Sequence, residues 1–169
     1  MTSLGDFALT RLLHRLVRAQ VDFVVIGGVA VVVQGSPRFT KDLDISYATD
    51  DENLQRLGAL LVELDTRLRQ IDEDVPFVPD AQTLRKTQML TLTTRDGDVD
   101  LLAHPPGSPG YASLKRKASR IELDGDTVLI ASIDDLIAMK TASGRPQDLV
   151  DLESLEVARR RARARPATA

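Results

Sequence analysis

The sequence contains no cysteine, only two histidines and no long apolar run. Without cysteine, the chain cannot form disulfides, thiolate nucleophiles or cysteine-ligated zinc and iron–sulfur sites. Because His14 and His104 are its only imidazoles, a histidine-rich metal centre is excluded as well. Any bound metal ion must therefore be held mainly by oxygen, which favours magnesium, manganese or calcium.

The lack of long apolar runs bears on where the protein works. No segment reaches the length needed to cross a bilayer. The N-terminus has no basic segment ahead of its first apolar stretch, which argues against a secretory signal. Together with the missing cysteines, these features predict a cytoplasmic protein without a membrane partner.

The charge is unevenly distributed along the chain. The formal net charge is −3, yet the last residues, RRRARARPATA, are strongly basic. This segment is interpreted either as a solvated helix end, whose cations suit the helix dipole, or as a contact for phosphate-rich nucleic acid. We expect a domain over residues 1–158, with C-terminal helices at 132–158 packed on it. An Arg-rich flexible tail follows at 159–169.

Hydrophobic periodicity predicts a mixed α/β fold. Apolar residues at helical spacing mark residues 6–20 and 49–70 as amphipathic helices, and His14 falls on the polar side of the first. Strands are predicted at 21–28 and 42–46, and two hairpins at 88–103 and 119–131. Shorter helices are expected at 29–35, 111–118, 132–143 and 145–162. The order α-β-α-β-α-β-β-α-β-β-α-α favours a mixed, mostly antiparallel sheet flanked by helices.

Two carboxylates in the segment FTKDLDIS stand out. Asp42 and Asp44 are two residues apart in a predicted strand, so they project to the same face. Two ionised carboxylates held this close raise each other's pKa unless a cation offsets their repulsion. A divalent metal ion is the simplest such cation. The alternative is a structural pair that is hydrogen-bonded to loops or neutralised by Arg38 or Lys41.

A second acidic group lies in the hairpin segment RDGDVDLL. Asp98 and Asp100 share one face of the outgoing strand, whereas Asp96 belongs to the turn. Asp100 is the better candidate because Val99 and Leu101 bracket it inside the strand. If this strand lies beside the strand of the first pair, three carboxylates meet, and three carboxylates can hold two magnesium ions.

Two glycines follow the first buried strand. Gly27 and Gly28 end the run VVIGG immediately before a predicted helix. Glycine lets backbone N–H groups approach a phosphate closely, although a tight strand-to-helix turn explains the pair equally simply. The segment matches neither the dinucleotide-binding nor the P-loop glycine pattern.

Taken together, these pieces resemble the signature of the nucleotidyltransferase superfamily, in its minimal, polymerase-β-like form. The resemblance covers the Gly27-Gly28 pair, a spacer of thirteen residues, the Asp42-Leu43-Asp44 motif and a later strand carboxylate at Asp100. The stretches GSPRFTKDLDI and SIDDLIAMKTASGRPQDLVDL extend it. The nearest group is the AbiEii/MenT kind of toxins from bacterial toxin–antitoxin systems. One departure is Gly28, where the superfamily often has serine.

The resemblance implies a magnesium-dependent transfer of a nucleoside monophosphate from an NTP to an acceptor hydroxyl. Asp42, Asp44 and Asp100 would be the catalytic and metal-binding residues, holding two Mg²⁺ ions or Mn²⁺ in their place. The nucleotide-binding residues would be Gly27, Gly28, Arg38, Thr40, Lys41, Lys140, Arg145 and Asp148. For a toxin, the expected partners are tRNA or another RNA as the acceptor and a cognate antitoxin.

Several alternatives remain open at this point. Within the same class, the acceptor is a small molecule such as an antibiotic, or a protein. In a different class, the chain is an inactive nucleotide-binding module of the same fold. For individual residues, Lys140 either reaches the site or extends to solvent, and Arg145, Asp148 and Asp151 form either part of the site or a structural ion-pair set.

Overall fold

The structure is a computed structural model, and it describes residues 4–71 and 75–165, with side chains from residue 8 onward. Its helices, in chain order, are α1 (Leu4–Arg18), α2 (Gly27–Val33), α3 (Asp51–Glu63), α4 (Ala81–Lys86), α5 (Tyr111–Lys117), α6 (Ile133–Ser143) and α7 (Pro146–Ala164). Its strands are β1 (Phe23–Ile26), β2 (Leu43–Tyr47), β3 (Arg67–Leu68), β4 (Met89–Thr94), β5 (Gly97–Leu102), β6 (Ser119–Leu123) and β7 (Asp126–Ile130).

In the described part of the chain, the strands form a single sheet in the order β3-β4-β5-β2-β1-β7-β6. β1 runs antiparallel to β2, and the β4–β5 and β6–β7 hairpins are antiparallel, as is the pair β3–β4. β2 is parallel to β5, and β1 is parallel to β7. The predicted fold class, a mixed and mostly antiparallel sheet flanked by helices, is therefore confirmed.

The hydrophobic core is centred on the two middle strands. β1 is buried along its whole length, and Leu43 and Ile45 of β2 are fully buried on either side of Asp44. Each fully buried aliphatic side chain of this kind contributes about 1.5–3 kcal/mol of transfer free energy. The alternation along β2 thus turns Leu43 and Ile45 into the core and places Asp44 on the opposite face of the sheet.

Helix ends follow their local sequence signals. The Asp50 side chain accepts a hydrogen bond from the backbone N–H of Asn53, at 3.0 Å, and so caps α3. Ser132 caps α6 by accepting from the backbone N–H of Asp135, at 3.2 Å. Gly144 closes α6 in the left-handed conformation, with φ of 62°. These caps confirm the expected boundaries of α3 and α6 on those sides, because each satisfies backbone groups that the helix leaves unpaired.

The predicted helix over 49–70 is wrong in its second half. α3 ends at Glu63, Asp65 takes a positive φ of 50°, and Arg67 and Leu68 form the edge strand β3 against β4. The apolar stripe of the helix ends at Leu64, which is fully buried. Residues 67–68 instead gain main-chain hydrogen bonds at the free edge of the sheet. Neither β3 nor the short helix α4 was predicted, since two to six residues carry little periodicity.

One further expectation needs correction. His14, predicted as a surface residue, is only 17% exposed in its side chain, and its Nδ1 is hydrogen-bonded to the Asp126 carboxylate of β7.

The last helix continues through the arginines that open the expected tail. α7 ends at Ala164, two residues beyond the helix predicted at 145–162. Arg159 pairs with Glu156 at 2.7 Å, one turn away on the same helix. The last four residues of the expected tail lie outside the described residues.

A buried amide joins α3 to the central strands. Asn53 is 1% exposed; its Oδ1 accepts from the Asp22 N–H at 2.6 Å, and its Nδ2 donates to the carbonyls of Asp22 and Ala48 at 3.0 and 2.7 Å.

Among the described helices, none reaches the length and apolarity of a membrane span.

We predict that Asn53→Leu lowers the free energy of unfolding by about 2–4 kcal/mol, because it leaves the backbone N–H of Asp22 and the carbonyl of Ala48 without partners. Gln55→Leu, on the exposed face of the same helix, is the matched control and should change it by less than about 0.5 kcal/mol. Urea denaturation followed by circular dichroism measures both. Equal effects for the two variants would contradict the bridging role of Asn53.

Candidate active site

The strand order brings the predicted catalytic residues together. In the parallel pair β2–β5, Asp44 lies directly opposite Asp100, and in the antiparallel pair β1–β2, Ile26 lies opposite Asp44. The turn that follows Ile26, at Gly27, is therefore beside Asp44. Three separate segments of sequence thus meet at one point because β2 is hydrogen-bonded to β1 on one side and to β5 on the other.

This meeting point is the floor of a cavity of about 540 Å³. Most of the site residues predicted from the sequence line it: Gly27, Gly28, Arg38, Thr40, Asp42, Asp44, Asp100, Lys140 and Arg145. Two predicted nucleotide-binding residues do not. Lys41 is exposed outside the lining, and Asp148 is fully buried beneath it.

Gly27 is required by both its conformation and its surroundings. Its φ is +64°, and a Cβ atom built on it would lie 2.0 Å from Oδ2 of Asp44. Any other residue would collide with the carboxylate that the strand pairing places there. The glycine turn and Asp44 are therefore one structural unit.

Gly28 is also enclosed. A Cβ atom there would lie 2.3 Å from Nη2 of Arg38 and 2.8 Å from Oγ1 of Thr40. Its backbone N–H donates to the Asp44 carboxylate. The space that a serine side chain would need at this position is thus taken by Arg38 and Thr40, which supply the polar groups in its place.

The electrostatics of the carboxylates show an excess of negative charge. Burial, followed by repulsion from Asp100, raises the pKa of Asp44 to about 6, against the opposing effects of the Gly28 N–H and Lys140. Burial also raises the pKa of Asp100, with repulsion from Asp42 adding to it and Arg69 opposing it. Burial and mutual repulsion are the two effects expected of carboxylates that share a site and lack a full complement of positive charge.

One residue of the site was missed by sequence reasoning. Nη2 of Arg69 is 2.7 Å from Oδ1 of Asp100, and Nη1 is 3.4 Å from Oδ2 of Asp42. Its Nε is 3.6 Å from Oδ2 of Asp98. Arg69 follows directly on β3, which the helical interpretation of residues 49–70 concealed. Only the recognition of an edge strand beside the Asp98–Asp100 hairpin would have revealed it.

The donor set suits a divalent cation, while the observed arrangement is that of carboxylates gathered around an arginine. Asp42, Asp44 and Asp100 offer hard oxygen ligands of the type that Mg²⁺ and Mn²⁺ prefer. Among the side chains that the structure describes, no group of three or more acidic or imidazole residues is already arranged to hold a metal ion. These carboxylates therefore fit a divalent ion in the chemistry of their donor oxygens, and burial together with repulsion from Asp100 and Asp42 raises the pKa of Asp44.

A second group of charges lies beneath the cavity and is fully buried. Nζ of Lys140 is 2.9 Å from Oδ1 of Asp148 and 2.8 Å from Oδ2 of Asp151, and both carboxylates have no solvent exposure. The angles at Asp151 are not those of a hydrogen bond, so this contact is an ion pair. Nη1 of Arg38 adds a contact of 3.3 Å to Asp151. Asp148 and Asp151 therefore anchor two of the cationic side chains that line the cavity.

The helix start of α7 completes this group. The Asp148 carboxylate accepts a hydrogen bond from the backbone N–H of Arg145 at 3.0 Å, and Nε of Arg145 is 3.3 Å away. Burial raises the pKa of Asp148, but the hydrogen bonds from Lys140 and the Arg145 backbone outweigh it and hold the pKa below the ordinary value of 3.8. The Arg145 side chain is 63% exposed and is free to reach a ligand in the cavity.

The fold is shared with nucleotidyltransferases of known structure. The chain resembles the lincosamide antibiotic adenylyltransferase LnuA in its lincomycin-bound form, with a TM-score of 0.59 and 15% identity over 89% of this chain and 96% of that one. It resembles a nucleotidyltransferase-like protein from Paracoccidioides brasiliensis, with a TM-score of 0.55 and 20% identity over 90% and 76%. It also resembles ANT(2")-Ia in complex with adenylyl-2"-tobramycin, with a TM-score of 0.52 and 15% identity over 92% and 97%.

Because the sequence identities are this low, the structural similarity establishes the fold alone. The chain has the nucleotidyltransferase fold. No protein-family model matches the sequence, and no curated protein sequence matches it either.

We predict that Gly27→Ala lowers the free energy of unfolding by at least about 1 kcal/mol more than Gly144→Ala. The two glycines have nearly equal positive φ values, 64° and 62°, so the conformational strain of about 1–2 kcal/mol is common to both. Only at Gly27 does the new Cβ collide with a carboxylate; at Gly144 the nearest atom is 3.9 Å away. Denaturant unfolding of the two variants measures the difference, and equal losses would contradict the tight contact with Asp44.

We also predict that Asp148 contributes stability with a defined pH dependence. Because its pKa in the folded protein lies below the ordinary 3.8, the contribution is fully present above about pH 5 and is lost as the pH falls through 3.8 toward the folded value. Asp148→Asn should therefore be less stable than the native chain at pH 6, and the difference should shrink below pH 4. Unfolding free energies measured from pH 3 to 7 test this, with Asp134→Asn, an exposed residue, as the control. A difference that grows with acidity would show that the sign is wrong.

Proposed function

We propose that the chain is a metal-dependent nucleotidyltransferase, which transfers a nucleoside monophosphate from an NTP to an acceptor hydroxyl. The observation that carries this proposal is the side-by-side placement of Asp44 and Asp100, together with Asp42, against the Gly27–Gly28 turn in one cavity. Asp42, Asp44 and Asp100 would hold the divalent ions, expected to be two Mg²⁺ or Mn²⁺, which when bound would neutralise the carboxylates and lower the pKa of the acceptor hydroxyl.

The residues of the chain then have distinct tasks. Asp100, which lines the cavity, takes the proton of the acceptor hydroxyl. The hydroxyl oxygen forms its bond to the α-phosphorus while the bond from that phosphorus to the β-phosphate oxygen breaks, and pyrophosphate leaves with the electron pair. Arg38, Lys140 and Arg145 stabilise the negative charge that develops on the leaving group.

These three cations differ in how they act. Lys140 is only 7% exposed and is tied to two buried carboxylates, so its effect is that of a fixed positive charge below the phosphates. Arg145 has most of its side chain free and can bind a phosphate oxygen directly. Arg38 and Thr40 stand where a side chain at Gly28 would otherwise lie, and we assign them to the phosphate subsite for that reason.

The proposal has three forms, which differ in the molecule that carries the acceptor hydroxyl. The first is a toxin of a toxin–antitoxin system that modifies tRNA in the bacterial cytoplasm, with a cognate antitoxin as its partner. It is supported by the motif resemblance and by the exposed arginines on the last turns of α7, which provide charge for an RNA backbone. The second is a small-molecule nucleotidyltransferase, supported by the likeness of fold to two antibiotic adenylyltransferases. The third form, with a protein acceptor, has the motif resemblance alone as its support.

A competing proposal from another class is a nucleotide-binding module without turnover. The observation that favours it is the arginine already seated between Asp42 and Asp100, together with the absence, among the described residues, of a preformed metal cluster. Such a module would bind an NTP through the cationic wall and would transfer nothing.

We predict that the native chain transfers label from one or more α-³²P-labelled NTPs, in the presence of Mg²⁺, to a component of total RNA, protein or small-molecule extract. Asp44→Asn should reduce transfer at least 100-fold, because it removes a carboxylate at the reacting centre. Asp98→Asn, two residues from Asp100 on the same strand but outside the cavity, is the control and should stay within about threefold of the native rate. The size of the labelled product identifies the acceptor class.

The same assay separates the competing proposals. NTP binding without transfer under all conditions would establish the inactive module and overturn the enzyme. Transfer that survives Asp44→Asn would show that the chemistry does not depend on this site.

A further inference from the structure

Arg69 makes the densest set of ionic contacts at the site, and the proposed reaction does not use it. Its guanidinium lies within 2.7 Å of Asp100, 3.4 Å of Asp42 and 3.6 Å of Asp98. Its side chain is only 16% exposed, so these contacts are poorly screened by solvent. The acidic cluster therefore already contains a cation that belongs to the chain.

The arginine is also held from behind. Its backbone N–H donates to the carbonyl of Thr91 at 2.9 Å, and its Nη2 donates to the carbonyl of Leu92 at 3.0 Å. Both carbonyls belong to β4, the strand next to β5. The edge strand β3 thus directs Arg69 across β4 and onto Asp100.

A divalent ion would use the same two carboxylates that Arg69 contacts, those of Asp42 and Asp100. Oδ1 of Asp100 and Oδ2 of Asp42 accept from its two terminal nitrogens. Metal–oxygen distances of about 2.0–2.6 Å leave no room for a guanidinium nitrogen on the same side of a carboxylate. In addition, two cations a few ångströms apart repel in a partly buried site.

We propose that Arg69 is the internal counter-cation of the acidic cluster: it neutralises Asp42 and Asp100 in the ion-free protein and competes with the divalent ion for them. This inference rests on the proposed function, which supplies the ion. It makes Arg69 a residue that sets the ion concentration at which the site fills. The opposite role, in which Arg69 positions the carboxylates so that the ion binds more tightly, predicts the reverse effect of removing it.

The decisive experiment compares the Mn²⁺ affinity of Arg69→Gln with that of the native chain, by calorimetric titration of chelator-treated protein without nucleotide. Loss of the competing charge should tighten Mn²⁺ binding at least tenfold. Arg67→Gln is the matched control, because Arg67 lies on the same edge strand, is exposed and forms no ion pair within the described part of the chain. It should stay within twofold of native.

Arg69→Lys is a control for a general loss of structure. It keeps the positive charge but cannot contact Asp42 and Asp100 through two separate nitrogens as Arg69 does. It should bind Mn²⁺ less tightly than Arg69→Gln. A second readout is thermal unfolding without ions. There, Arg69→Gln should melt below the native chain, because the carboxylates lose their counter-charge, and added Mg²⁺ should raise its melting temperature more than that of the native chain.

The outcomes separate this inference from the proposed function. Native binding of Mn²⁺ with unchanged or weaker binding by Arg69→Gln overturns the competition and leaves the proposed function standing. No Mn²⁺ binding by either protein overturns both the competition and the metal site of the proposed function.

Discussion

The structure depends on balancing negative charge that the strand pairing concentrates at the middle of the sheet. The pairing of β2 with β5 brings Asp42, Asp44 and Asp100 together. Asp148 and Asp151 are fully buried and contact Lys140, which lines the cavity. Burying an unpaired carboxylate is too costly for a domain of ordinary stability. Each of the two acidic groups is accordingly matched by basic side chains, Arg69 for the first and Lys140 with Arg38 for the second.

The two groups are balanced in different ways, and the difference has a functional meaning. Around Lys140, both carboxylates are fully buried and the ammonium is nearly so, which fixes Lys140 of α6 in place. Around Arg69, Asp42 retains 45% exposure and the cluster opens onto the cavity. Removing one partner from the enclosed pair leaves a stranded charge, whereas the open cluster can exchange one cation for another. We therefore interpret the first group as a structural framework and the second as the proposed ion site.

Much of this arrangement could be predicted from the sequence. The alternation in DLDIS places Leu43 and Ile45 in the core and Asp44 on the opposite face, and the bracketing of Asp100 by apolar residues marks it correctly as the inner member of the Asp98–Asp100 pair. Strong periodic segments and cap residues fixed the boundaries of α6 and the start of α3. These features are local, because each depends only on the order of residues within one helix or strand and its immediate neighbours.

What the sequence could not reveal depends on distant contacts. The edge strand β3 has two residues and gains its stability from β4, more than twenty residues away, so the helical pattern before it seemed to continue. Arg69, which follows β3 directly, was therefore not recognised as a site residue. His14 was assigned to the surface because a helical wheel does not show that Asp126 of β7 faces it. In both cases, the local sequence pattern predicts that a basic side chain is exposed to solvent. In the structure, that side chain is bound by a carboxylate from a distant segment.

The glycine turn illustrates how the site and the fold constrain each other. Gly27 must be glycine because Asp44 occupies the position of its side chain, and Asp44 is there because β2 pairs with β1. At Gly28 the same crowding comes from Arg38 and Thr40, which belong to the connection between α2 and β2. That connection therefore has two tasks, since it carries the chain into β2 and returns a guanidinium and a hydroxyl to the turn. A substitution with a larger residue at Gly28 would displace the Arg38 guanidinium, and through Asp151 it would disturb the buried ion pairs that hold Lys140. The proposed phosphate subsite and the charged residues beneath it are thus one connected structure.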